Sequence, residues 1–256
     1  MDIEIIPCLN DNYSYLIKDD LTNTVAIIDP SEFKPCDDII NIKYKKLDFI
    51  LNTHHHFDHV GGNAKLKEKY GSKILGFEED KERIPGVDIL LKRNQEFKVG
   101  DLNFETIFIP GHTSGHIAFY LKKERVIFTG DTLFSLGCGR VFEGTYQQMF
   151  NSINKIKSLP EDTKIFCGHE YTLSNLKFAL EVDENNKQLK DEYINVKKLI
   201  SSDIPSLPTN LNKELKVNPF LRCNEINIKN KVTDKFDIID DELEIFTALR
   251  KWKDNF

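Results

Sequence analysis

Apolar positions in the first two-thirds of the chain come in short runs cut by polar turns. Residues 13–17, 25–28, 49–51, 74–76, 102–109, 117–121, 126–128 and 164–167 each read as a strand. DD, DP, GD, PG and GG pairs bound them. Residues 63–70, closed by Gly71, predict a helix with Ala64 and Leu66 on its inner side. Residues 146–157 predict another, with Met149, Phe150, Ile153 and Ile156 at helical spacing and Pro160 soon after. Strands interleaved with helices give an α/β layered domain.

The period changes after about Tyr171. Leu189, Tyr193, Val196 and Ile200 form a helical stripe, and Ile245, Leu249, Trp252 and Phe256 form a second. Between them IPSLPTNLNKELKVNPFLR carries three prolines and reads as a connecting loop. The expected organisation is an α/β domain over residues 1–171 and a helical domain over 172–256.

Composition changes this picture little. The 256 residues are long enough to bury a core without disulfides. A net charge of −6 disfavours a broad nucleic-acid surface. Five scattered cysteines, Cys8, Cys36, Cys138, Cys167 and Cys223, form neither a disulfide framework nor a CxxC pair. No signal-like start and no membrane-length apolar run is seen. The expectation is a cytoplasmic protein with no nucleic acid and no membrane as partner.

Candidate chemistry changes it a great deal. Residues 53–62 read THHHFDHVGG, which puts four of the seven histidines within six positions, directly after a strand. Ligands are commonly built at such strand ends. In an extended loop His54 and His56 point the same way, while Asp58 and His59 lie one step further on. Four ligands in six residues exceed what one tetrahedral ion draws from a loop, so two ions are expected. Three further runs end in glycine and a ligand: Gly111–His112, Gly130–Asp131 and Gly168–His169. One ion then takes His54, His56 and His112, and the other Asp58, His59 and His169. Asp131, with two oxygens, bridges them. The expected cofactors are two divalent metal ions; imidazole and carboxylate together suit zinc, iron or manganese, and the residue types do not choose among them. His55 points away, towards solvent or a supporting role. His116 orients a ligand through a hydrogen bond. Asp29, in AIIDP, holds the loop beneath the site. Cys138 and Cys167 stay structural.

THHHFDHVGG, PGHTSGH, FTGDTLF and CGHEY stand in the order and spacing of the metallo-β-lactamase superfamily. With GCGRVFEGT, CGHEYTLSNLKFA, NPFLR and RKWKDNF the chain more narrowly resembles the hydroxyacylglutathione hydrolase (glyoxalase II) family, over nearly its whole length. HxHxDH marks the superfamily alone; the later motifs mark the branch. The resemblance implies a metallo-β-lactamase-like αββα sandwich over 1–171 with a binuclear site, then a helical glutathione-binding domain over 172–256. It implies glutathione contacts at Arg140, Tyr171, Arg250 and Lys253. Position 142 is Phe, where some members have Tyr, so a hydroxyl contact would be missing. Arg250 and Lys253 are three apart on one helix face, and both are expected to face outward.

The implied reaction is hydrolysis of S-(2-hydroxyacyl)glutathione, such as S-D-lactoylglutathione, with Asp58 and Asp131 as catalytic residues. The competing readings share HxHxDH: a lactamase, a glutathione persulfide dioxygenase and an RNA-processing nuclease. A lactamase would normally be secreted and have little use for a helical domain ending in RKWKDNF; GCGRVFEG and the extended C-terminus argue against the dioxygenase, and net charge with no basic arm argues against the nuclease.

Overall fold

Short alternating segments separated by tight turns pair with their neighbours before anything else. In the computed structural model, which describes residues 1–256, β1 (Asp2–Cys8) and β2 (Asn12–Lys18) form an antiparallel hairpin. β3 (Val25–Ile28) pairs antiparallel with β2. Parallel strands need crossovers, usually helical. α1 (Phe33–Lys43) leads to β4 (Phe49–Leu51). The one-turn α2 (Phe57–Val60) and α3 (Asn63–Tyr70) lead to β5 (Lys73–Phe77), and β6 (Ile89–Leu91) closes a six-stranded mixed sheet. Every residue of β3 is buried, as expected of a strand covered on both faces.

The chain divides into two compact units, one of residues 1–108 with 115–130 and one of residues 109–114 with 131–256. In the first, β7 (Glu96–Val99), β8 (Leu102–Phe108), β9 (Ile117–Leu121) and β10 (Val126–Gly130) follow as antiparallel neighbours. Tyr15 of β2 meets Phe128 of β10 with ring centroids 5.4 Å apart, so the two sheets share a core. On the other face of the first sheet Cys36 and Ile40 of α1 and Leu66 of α3 pack with Ile27, Ile50 and Ile74.

The second unit begins with a small hairpin, β11 (Leu133–Phe134) and β12 (Gly137–Cys138). α4 (Tyr146–Lys157) starts at a capping box of Thr145 and Gln148. β13 (Lys164–Cys167) pairs antiparallel with β14 (Thr209–Asn210). The helices are α5 (Thr172–Val182), α6 (Lys187–Ser201), α7 (Leu211–Val217), α8 (Ile226–Phe236) and α9 (Glu242–Asp254).

Each expected strand falls on an observed one, and the change to helix after Tyr171 is seen. The segment IPSLPTNLNKELKVNPFLR departs from its loop reading: it contains β14 and α7. Its three prolines flank the helix rather than interrupt it. Asn210 caps Lys213 N, and Leu211, Glu214 and Val217 turn inward one helical turn apart. α2 starts at Phe57, so Asp58 and His59 lie in its single turn. No helix is long and apolar enough to cross a membrane.

Candidate metal centre

In the first unit the histidine loop leaves β4 and is fastened by one buried carboxylate. Asp29 Oδ1 accepts from Thr53 N (2.8 Å), and Asp29 Oδ2 accepts from Thr53 Oγ1 (2.6 Å). His59 Nδ1 lies 3.0 Å from the same Oδ2. Asp29, His54 and His59 could together hold an ion, since their ligand atoms lie within 4.8 Å of one another. With both oxygens engaged, however, Asp29 orients rather than ligates. A histidine anchored through Nδ1 presents Nε2 to a metal. His54 is anchored the same way, Nδ1 lying 3.0 Å from Thr53 Oγ1. His56 is half-buried, its ring centroid 4.7 Å from that of His54. Asp58 Oδ2 accepts from Asn12 Nδ2 at 3.0 Å and lies 3.7 Å from His59 Nε2.

His55 turns away as expected, but to Asp80, whose Oδ2 is 3.2 Å from its Nδ1. Arg83 holds the other oxygen of that buried Asp80. His116 is fully buried and stacks on His54 at 4.5 Å between centroids. Gly130 has φ 47, and a Cβ there would stand 2.5 Å from Thr53 Oγ1 and 2.8 Å from His116 Nε2. Only glycine lets β10 end this close beneath the loop.

In the second unit the remaining three candidates meet. His112 Nε2 lies 3.4 Å and His169 Nε2 3.2 Å from one oxygen, Asp131 Oδ2. Two ligands bound about 2.1 Å from one tetrahedral ion stand about 3.4 Å apart, so this trio has the spacing of a metal-ligand set. His112 Nδ1 is 2.9 Å from Arg140 O, which again makes Nε2 the ligating nitrogen. His169 lies flat on Tyr171, centroids 4.6 Å apart and planes 3° apart, with Phe134 against its edge. Gly111, at φ 149, lets the His112 turn run against Met149 of α4, where a Cβ would come within 2.8 Å.

The cations near the end of α9 depart from expectation. Arg250 does not face outward: it is 3% exposed. Its Nη1 donates to Cys138 O (2.5 Å), its Nη2 donates to Asp254 Oδ1 (3.1 Å), and its guanidinium lies over Phe220. The buried arc of α9 includes Phe246, one turn before Arg250, as well as Ile245 and Leu249. Lys253 is half-buried, donating to Ser174 O (3.3 Å) and Ser174 Oγ (3.2 Å). Burial, then the neighbouring Arg250 and Arg140 guanidiniums, push its ammonium down to about 8. Arg140 is exposed, its Nε 3.5 Å from Asp254 Oδ1. Phe142 is 61% exposed, with its ring 5.2 Å from that of His112. Sequence reading missed Asn12, Ser174 and Asp254; each is one polar residue in an ordinary context, and nothing in its local pattern marks it.

Comparison with known proteins fits this arrangement. Residues 10–169 match the metallo-β-lactamase superfamily, and residues 170–256 match the hydroxyacylglutathione hydrolase C-terminus. The hydroxyacylglutathione hydrolase of Pelagibacter ubique is 48% identical over all 256 residues and 100% of its own length. That of Methylococcus capsulatus is 40% identical over the same span and 99% of its length. The chain belongs to the hydroxyacylglutathione hydrolase family. Among solved structures, the BLEG-1 B3 metallo-beta-lactamase superposes with a TM-score of 0.67 at 23% identity, covering 86% of this chain and 100% of that one. ETHE1 from Myxococcus xanthus gives 0.61 at 24%, covering 88% and 100%. These likenesses show the metallo-β-lactamase fold.

Proposed function

We propose that this chain hydrolyses S-(2-hydroxyacyl)glutathione to glutathione and a 2-hydroxy acid, with D-lactate formed from S-D-lactoylglutathione, as the second step of methylglyoxal detoxification. It would act as a cytoplasmic monomer on a small molecule. The observation that carries the reading is Asp131 Oδ2 held between His112 Nε2 and His169 Nε2, in a chain that aligns from end to end with hydroxyacylglutathione hydrolases. One divalent ion would be held by His54, His56 and His112, and a second by Asp58, His59 and His169, with Asp131 bridging. Zinc fits this donor set, as do iron and manganese. When bound, such a pair supplies Lewis-acid chemistry, lowering the pKa of water and offsetting charge on a carbonyl oxygen.

The chain's own residues do the rest. Asp29 and Thr53 hold His54 and His59 in one tautomer. Asn12 holds Asp58, which adds negative charge beside His59. Tyr171, Arg140, Arg250 and Lys253 orient the glutathione moiety. Arg250, being buried, acts by fixing Cys138 and Asp254, and the more open Arg140 and Lys253 meet the carboxylates. Water oxygen bonds to the acyl carbon, one of its protons passes to solvent, and the carbon–sulfur bond breaks. The sulfur leaves as thiolate, since a thiol of pKa about 8.5 needs no strong general acid. Phe142 offers no hydroxyl to the peptide.

Metal-loaded protein should consume S-D-lactoylglutathione, read as loss of thioester absorbance, and His56→Ala or Asp131→Ala should abolish this. Turnover of β-lactams or RNA alone, or a requirement for O₂, would overturn the reading.

A further inference from the structure

The metal-centre residues of the second unit hang on the β11–β12 hairpin. Asp131 precedes it and Arg140 follows it. Gly139 N donates to Thr132 O at its open end (3.1 Å). Phe134 packs on both His169 and Tyr171, and Cys138 O receives Arg250. The position of two antiparallel residue pairs therefore bears on one proposed bridging ligand, on the proposed substrate contacts Arg140 and Tyr171, and on the buried Arg250 that supports them. Two pairs are too few to be rigid alone. The tip is also strained: Leu136 is a fully buried leucine at φ 61, a left-handed backbone that a bulky residue rarely adopts.

One side chain meets that tip. Glu214 of α7 is fully buried, some 80 residues further along the chain. Its Oε2 accepts from Leu136 N (2.7 Å) and Asn218 Nδ2 (3.0 Å). Its Oε1 accepts from Ser135 Oγ (3.2 Å) and Thr209 Oγ1 (2.6 Å). Asn218 carries the clamp on to Gly137 O (3.1 Å) and Phe134 O (3.3 Å). We propose that Glu214 is a positioning residue for the reaction: it locks the strained hairpin tip, and through the hairpin it sets Asp131 for metal and Tyr171 and Arg250 for glutathione. This rests on the binuclear thioesterase reading above.

The bond pattern says what is needed at 214. The oxygen facing Leu136 and Asn218 must accept, because both partners are N–H groups. The other atom faces two hydroxyls, which rotate and accept as readily as they donate. Burial pushes the Glu214 carboxyl up, and a protonated acid fits the same partners. An amide fits them too, so charge is dispensable and shape is not.

The test compares wild type, Glu214→Gln and Glu214→Ala by metal analysis, steady-state kinetics and amide exchange. Glu214→Gln should keep two ions per chain and kcat/KM within about twofold. Glu214→Ala should hold about one ion, lose tenfold or more in kcat/KM with KM raised, and exchange faster at residues 133–138. If Glu214→Ala does not fold, Ser135→Ala, which removes one of the four bonds, should move all three readouts in the same direction by less. A folded Glu214→Ala that melts earlier yet keeps its two ions, its kinetics and its hairpin protection would reduce Glu214 to a stability residue and overturn the proposal. So would a Glu214→Gln that fails like Glu214→Ala. Failure of the thioesterase reading would show separately, in wild type lacking paired metal or turnover, and exchange at 133–138 would still report the clamp.

Discussion

Lys253 carries a charge its surroundings resist, and that makes it a pH gauge. An ordinary lysine keeps its proton to about 10.4, whereas Lys253 is pushed down to about 8. Between those values the unfolded chain binds the extra proton, so this residue's contribution to stability rises with pH through that window and is unfavourable below it. Binding a carboxylate runs the other way, since it needs the ammonium. KM for lactoylglutathione should therefore rise as pH passes 8, and Lys253→Arg, charged throughout, should flatten that rise. A wild-type KM that is level from pH 7 to 9 would remove Lys253 from the binding set. Asp29 makes a second residue-scale prediction. In Asp29→Asn one carboxylate oxygen becomes an NH₂ group, which cannot accept from both Thr53 Oγ1 and His59 Nδ1. His59 must then protonate at Nε2, its proposed ligating nitrogen. Metal affinity should fall 10–100-fold, measured by competition with a chelator, with little change in melting temperature for metal-free protein.

At the scale of elements, the hairpin allows a sharp substitution. A Cβ on Gly139 would stand 1.8 Å from Asp131 O, which is backbone and cannot swing aside. Gly139→Ala should force the hairpin off Asp131, abolish turnover and lower metal content, while far-UV CD keeps the signal of α5, α6 and α9. Unchanged metal content would mean that the hairpin does not set Asp131. This contact was invisible in the sequence, and so was the hairpin itself, whereas the longer strands were legible. Runs such as VAII and IAFYL are apolar throughout because both faces are covered, and that pattern is local. The gathering of histidines in one loop was equally legible, because spacing two apart along an extended segment fixes direction. α1 was not: FKPCDDIINIK puts a proline in its first turn, where helices tolerate one, and buries only Cys36 and Ile40. α7 hid among prolines that lie outside it. Arg250 was misread because a four-residue stripe understates an arc that also buries Phe246 and Ala248. Glu214 gave no signal, since its partners Ser135 and Leu136 are set by tertiary structure alone.

For the whole molecule, the proposed ligands run from His54 to His169, across more than a hundred residues of chain. No unfolded chain holds such a set together, so the proposed ions would bind the folded form and their binding free energy would become folding free energy. At a free metal concentration one hundred times Kd, each ion adds about 2.7 kcal/mol. For a chain of this length 1 kcal/mol moves Tm by about 2–4 °C, so stripping one such ion should lower Tm by roughly 5–10 °C. The C-terminal helices have packing of their own, with Leu176, Ala179, Leu189, Val196 and Val217 in one buried cluster. Far-UV CD at 25 °C should therefore be unchanged by chelation even as the melt moves down. Adding back zinc, iron or manganese singly should restore Tm, and the ion that restores both Tm and thioester turnover at two per chain is the working one. If metal analysis shows the ions gone and the melt has not moved, the ions were not held by the set His54, His56, Asp58, His59, His112, Asp131 and His169, and the ligand assignment falls.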